Sequence, residues 1–161
     1  MNNYRKLTYG GLMGALVFLG TYTLAFPIPN GYLNLGDGII LISSILLGPF
    51  AAFPAAVGSI LADIAAGYAI YVPFTFVIKG LVALVPALLL KNKKLSWKSL
   101  VLPFAIAELI MVAGYFIADT MLWDMGGISA VPFNLLQGVF GLVIGIVGSM
   151  VILRSKIKRF N

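Results

Sequence analysis

Six stretches of this sequence stay apolar for about twenty residues at a time, broken only by glycine, proline or a charge, and nothing constrains the fold more. About 20 such residues take a helix across the hydrocarbon core of a bilayer, where every backbone polar group must be paired internally. The segments are residues 7–26, 37–53, 54–71, 73–90, 100–121 and 131–153. Between the second and third, GPFAAFP (Gly48 to Pro54) leaves room only for a tight turn, so those two helices have to be short or tilted. Hydrophobic residues make up 61% of the chain and charged ones 10%, with a mean hydropathy of +1.04. That is more apolar side chain than a soluble domain of 161 residues can bury. The sequence predicts an all-α integral membrane protein in which residues 1–161 form a single six-span domain.

The basic residues orient it. Arg5 and Lys6 precede the first span, Lys91, Lys93, Lys94 and Lys98 fill the connection after the fourth, and Arg154, Lys156, Lys158 and Arg159 follow the sixth. In a six-span chain all three clusters fall on one side, which the positive-inside rule makes cytoplasmic, together with both termini. The opposite connections, near 27–36, 67–72 and 122–130, contain no Lys or Arg. Arg5 and Lys6 before an apolar run ending near Thr23 and Ala25 imitate a cleaved signal. The run is longer than a signal core, however, and its removal would leave five spans, so it is read as the first span.

Composition also removes chemistry. The chain has no cysteine and no histidine, which excludes disulfides, thiolate metal sites, the usual zinc sites and histidine acid–base catalysis. No metal or cofactor is expected. The net charge of +6 sits at the ends and in one connection rather than along a groove-sized face, so nucleic acid is not an expected partner, whereas lipid is. No G-x-x-x-x-G-K-[ST] loop occurs, so uphill transport would draw its energy from ions or a partner.

Ionisable groups in hydrocarbon are costly and normally turn inward and pair. Lys79 and Asp63 lie at similar depth in the fourth and third spans, so either they form a buried ion pair or Lys79 faces a ligand cavity. Glu108, Tyr115 and Asp119, seven and four residues apart, line one helical stripe, with Glu108 near mid-membrane. Asn134 and Gln137 share a face at the outer end of the last span, where amides read as ligand contacts. Below them Gly138, Gly141, Gly145 and Gly148 permit close helix packing. Tyr68 and Trp123 suit an interfacial aromatic belt, and Tyr71 and Tyr115 suit a platform for a flat ring. These polar groups converge on the non-cytoplasmic half, beneath the loop carrying Asn34 and Asp37.

The run GYLNLGDGIILISSILLGP (Gly31 to Pro49) followed by VGSILADIAAGYAIYVPFTFVIKGL (Val57 to Leu81) resembles the substrate-binding S components of energy-coupling factor vitamin transporters. It is most similar to their hydroxymethylpyrimidine or pyridoxine branch, grouped with the riboflavin-type S components. The resemblance covers roughly residues 5–150. It implies a six-helix bundle with a lid loop between the first two helices, and capture of a vitamin or precursor such as pyridoxine or hydroxymethylpyrimidine. It also implies docking on a transmembrane scaffold (T) subunit bound to two cytoplasmic ATPases, with toppling in the bilayer to release cargo. No enzymatic activity or ATPase of its own is expected.

In such a protein Asn34, Asp37, Lys79, Glu108, Tyr115, Asp119, Asn134 and Gln137 form the expected ligand site. Gly10, Gly11, Gly14 and Ala15 match the spacing of the family's small docking residues, though packing within the monomer explains them as well. Asp37 can instead cap the second helix. Riboflavin, pantothenate or thiamine are alternative cargoes. Two other classes remain. An intramembrane enzyme fits poorly with scattered carboxylates, and a proton-coupled carrier would use Glu108 as its relay.

Overall fold

A computed structural model describes residues 3–28, 31–124 and 126–155. Lys156, Lys158 and Arg159 of the third basic cluster lie outside the described residues, as do Pro29 and Asn30 of the first connection and Met125 of the last.

Among the described residues there are six α-helices: α1 (Asn3–Tyr22), α2 (Gly36–Leu47), α3 (Ala52–Ala65), α4 (Val72–Leu89), α5 (Trp97–Trp123) and α6 (Gly126–Arg154). Four helical segments are long and apolar enough to cross a membrane: Gly36–Ala65, Ala69–Leu89, Trp97–Trp123 and Gly127–Arg154. The first of them is not one straight rod. Gly48 takes a positive φ of 59° ahead of Pro49, and a turn of 3-10 helix over Gly48–Ala51 separates α2 from α3. Contacts with α1 show the chain folding back there. Gly10 faces Phe50, Gly14 faces Pro54 and Gly58 faces Val17, while Gly20 near the end of α1 meets Ile39. At 1.5 Å per residue, α2 with 12 residues and α3 with 14 reach only about 18 and 21 Å. The expected second and third segments thus begin about where the sequence places them and end six residues early. The second is stopped by Gly48 and the third by Gly67, whose φ is +84°.

The helix α2 is the centre of the bundle. Its Ile40, Leu41 and Ile45 are buried, and it packs against α1, α4 and α6. The glycines of α6 make that packing possible. A Cβ on Gly145 would press on Leu41, one on Gly148 would collide with Ile42, and one on Gly141 would collide with Glu108 of α5. The outer faces of α5 and α6 remain apolar and exposed, with Leu109, Ile117, Val139 and Val147 directed away from the bundle, as lipid contact requires. A Ser96–Ser99 capping box starts α5 at Trp97, three residues before the apolar run itself.

Between α1 and α2 the chain forms a short antiparallel ribbon, β1 (Phe26–Ile28) and β2 (Gly31–Leu33), with Phe26 opposite Leu33 and Pro27 opposite Tyr32. The remaining basic residues named above, Arg5 and Lys6, Lys91 to Lys98 and Arg154, gather at the opposite end of the bundle from this ribbon.

Candidate functional site

Beneath the ribbon a partly open cavity of mixed polarity is bounded by every helix except α2. Thr21 comes from α1, Ser59 and Asp63 from α3, Thr75 and Lys79 from α4, Tyr115 and Asp119 from α5, and Asn134 and Gln137 from α6. Ile28, Gly31, Tyr32 and Asn34 close it from the ribbon side. The free space is about 40 Å³ measured at the centres of water-sized molecules. One water needs roughly 10–15 Å³ on that measure, so the interior has room for about three.

One wall is a hydrogen-bonded cross-brace. Lys79 Nζ donates to Asp37 Oδ1 at 2.6 Å, and Gln137 Nε2 donates to Asp37 Oδ2 at 2.7 Å. Gln137 Oε1 in turn accepts from the backbone N–H of Asn34 at 2.9 Å, and Asn34 Oδ1 accepts from the Gly36 N–H at 3.0 Å. Lys79 and Asp37 are 2% and 0% exposed, so two full charges are held away from solvent by each other. Of the two alternatives for Lys79, the pair with Asp63 is not formed, and Lys79 does line the cavity. Depth alone put those two side by side, but the central position of α2 brings Asp37 to the ammonium first. Nor is Asp37 a helix cap: its side chain makes no capping bond, because both oxygens are committed to α4 and α6.

The opposite wall is aromatic. Tyr32, Tyr68, Tyr71 and Tyr115 follow one another with ring centroids 5.1, 6.3 and 6.4 Å apart, and Lys79 Nζ lies 5.2 Å from the Tyr115 centroid. Each phenol is anchored. Tyr32 donates to Asp63 Oδ1 at 2.6 Å, Tyr68 to the Gly31 carbonyl at 3.2 Å and Tyr71 to Asp119 Oδ1 at 2.5 Å, while Tyr115 shares a hydrogen bond with Thr75 at 3.1 Å. Trp123, half exposed at the helix end, donates its indole N–H to Tyr71 at 2.9 Å. Tyr68 and Trp123 thus have specific partners beyond a place in an interfacial belt. Burial, reinforced by the neighbouring Asp63, pushes the Tyr32 hydroxyl well above its usual range and keeps it a neutral donor.

Of the eight residues expected at a ligand site, Asn34, Lys79, Tyr115, Asp119, Asn134 and Gln137 line the cavity. Asp37 and Glu108 do not. Asp37 stands behind Lys79 and Gln137, and Glu108 is buried against Gly138 and Gly141 with no hydrogen-bond partner for either oxygen. Its place on the Tyr115–Asp119 stripe is two turns too deep to reach the cavity. Sequence reasoning missed Thr21, Ser59 and Thr75, and it placed Tyr32 on the outer side without assigning it to the site. The only signal for Ser59 was its position one turn before Asp63 on the same face of α3.

On the far side of α1 and α3 from the cavity runs an apolar groove. Gly10, Gly11, Gly14 and Ala15 line one bank and Phe53, Val57 and Leu61 the other. Gly10 and Gly14 also pack inside the monomer, against Phe50 and Pro54, whereas Gly11 meets nothing.

Comparison with known proteins gives a consistent family. A family model described as "ECF-type riboflavin transporter, S component" matches residues 1–153. A Pyrococcus woesei protein, described as an "uncharacterized protein in gap 3'region", is 35% identical over 133 residues, covering 80% of this chain and 88% of its own. The "thiamine precursor transporter HmpT" of Lactococcus lactis subsp. cremoris is 31% identical over 167 aligned positions, covering 96% and 92%.

Proposed function

The chain belongs to the family of ECF-type riboflavin transporter S components, and from that membership we propose that it captures a single-ring heterocyclic vitamin precursor for ATP-driven uptake. The observation that carries this reading is the cavity beneath the ribbon, polar on one wall and tyrosine-lined on the other, inside a membrane bundle. Its small free space favours one ring over the three fused rings of a flavin. The likeness to the thiamine precursor transporter points the same way, toward hydroxymethylpyrimidine ahead of pyridoxine. Tyr71 and Tyr115 would flank the ring, while Asn134, Asp119 and Lys79 supply polar contacts. Asn34 and Gln137 would hold the ribbon over it as a lid.

In this reading all six helices traverse the bilayer, α2 and α3 as short tilted spans, and the basic end with both termini is cytoplasmic. The apolar groove along Gly10, Gly11, Gly14 and Ala15 receives the transmembrane scaffold subunit, which carries the two ATPases. Titration of the purified protein in detergent with hydroxymethylpyrimidine, pyridoxine, riboflavin, thiamine and pantothenate tests it. Tight binding of hydroxymethylpyrimidine is expected, and silence from all five with a folded sample refutes it.

A further inference from the structure

Most of the polar groups around the cavity satisfy one another: Lys79 with Asp37, Gln137 with Asn34, Asp119 with Tyr71, Thr75 with Tyr115. Of the atoms fully cut off from solvent, three do not. Thr21 Oγ1, Ser59 Oγ and Asp63 Oδ2 are buried without a hydrogen-bond partner, the Thr75 hydroxyl near the Asp63 carboxylate being engaged with Tyr115, and their residues are 2%, 0% and 4% exposed. All three residues line the cavity, at the end formed by α1 and α3. Ser59 and Asp63 stand one helical turn apart on the same face of α3. The Thr21 hydroxyl reaches across from α1 to within overlap of any Cβ placed on Gly36. Leaving a buried donor or acceptor unmade is costly, so three together in one cavity form a built recognition surface for a polar complement.

We propose that Thr21, Ser59 and the free oxygen of Asp63 form a specificity subsite that reads an exocyclic amino group beside a ring nitrogen. The chemistry follows from what each atom can do. An ionised Asp63 Oδ2 only accepts, and its partner oxygen is already turned toward the Tyr32 hydroxyl. An amino group gives one hydrogen to Asp63 and the second to a hydroxyl oxygen, whose own proton then goes to the adjacent ring nitrogen. The cation nearest at hand is not available, because Lys79 is taken by Asp37. An amino group supplies the donor that the Asp63 oxygen lacks, whereas an oxo group would face a carboxylate acceptor to acceptor.

The inference rests on the capture reading above, and the experiment separates the two. The full chain in detergent is titrated calorimetrically with 4-amino-5-hydroxymethyl-2-methylpyrimidine and with its 4-oxo counterpart, as wild type, Ser59→Ala and Asp63→Asn. The wild type should prefer the amino compound roughly tenfold or more. Both substitutions should shrink that ratio, and Asp63→Asn, whose amide can donate to an oxo group, should shrink it further or reverse it. An unchanged ratio in folded variants overturns the subsite, whatever happens to the two affinities separately. Ser59→Ala removes a single oxygen and keeps the test valid if Asp63→Asn fails to fold. Wild type that ignores both pyrimidines but binds pyridoxine overturns the amine-reading subsite and leaves single-ring capture standing, whereas binding of riboflavin overturns the single-ring reading as well. Wild type that binds none of the five vitamins overturns both.

Discussion

Replacing Lys79 with methionine should cost this protein more stability than any other single change of similar volume. The ammonium and the Asp37 carboxylate are 2.6 Å apart and essentially unexposed. Methionine fills most of the lysine volume, so the loss is electrostatic: Asp37 keeps only the Gln137 amide as partner. Breaking a buried pair from one side costs about 3–5 kcal/mol, because the survivor is a buried charge. At about 2–4 °C per kcal/mol for a chain of this size, the melting temperature should fall by roughly 6–20 °C. Removing both charges should restore most of it, since a pair replaced by neutral groups of similar shape is often harmless. The assay is a double-mutant cycle of Lys79→Met, Asp37→Asn and the combination, melted in one detergent and followed by tryptophan fluorescence. Three outcomes refute the reasoning: a single variant as stable as wild type, a double variant that loses the sum of the singles, or a partner for Lys79 other than Asp37.

Further expectations concern the aromatic wall, the glycines and pH. Asn134→Ala should weaken ligand binding substantially with an unchanged melting temperature, and near-constant affinity by calorimetry would take Asn134 out of the site. Tyr71→Phe strips both Asp119 and Trp123 of a partner, which should cost about 1–3 kcal/mol and shift Trp123 emission; an unaltered spectrum would contradict the contact. Gly141→Ala drives a methyl into Glu108 and against Asp37 and should destabilise by about 1–3 kcal/mol, with partial rescue by Glu108→Ala in the same melting assay. The Tyr32 hydroxyl is raised above its unfolded value near 10. Its contribution is thus complete below about pH 10 and declines as pH rises beyond it, because the folded state then holds a proton that the unfolded state releases. Melting curves from about pH 8 to 11 should fall less steeply for Tyr32→Phe; parallel curves would count against that burial.

Membrane insertion and the placement of the basic residues at one end were legible because both are written in one dimension, as apolar length and as charge position. The end of the bundle that holds the cavity was legible for a similar reason, since Asp119, Asn134 and Gln137 sit at matching helix ends. Pairing was not legible. Asp37 and Lys79 are 42 residues apart, and Gln137 reaches Asp37 across 100 residues. Choosing Asp37 over Asp63 requires knowing that α2 occupies the middle of the bundle. The helical stripe correctly joined Tyr115 to Asp119 but ran on to Glu108, because periodicity fixes a face and not the depth at which a cavity ends. Thr21 and Ser59 escaped notice because a hydroxyl in an apolar helix commonly bonds the carbonyl one turn back and so reads as inert.

The unequal lengths of the helices have a consequence for the lipid around them. α3, whose Ile64 is exposed outside the docking groove, is about 21 Å long, whereas α5 and α6, with 27 and 29 residues, extend for about 40 and 43 Å. On the proposed six-span reading, a bilayer of about 30 Å hydrocarbon thickness would have to thin along one flank of the protein and stretch or see tilted helices along the other. The molecule would then carry an asymmetric hydrophobic girdle, with a preferred lean that depends on the membrane it sits in. Oriented-sample spectroscopy in lipids of graded acyl length should read that lean directly, and a tilt independent of thickness would show that the girdle is level after all.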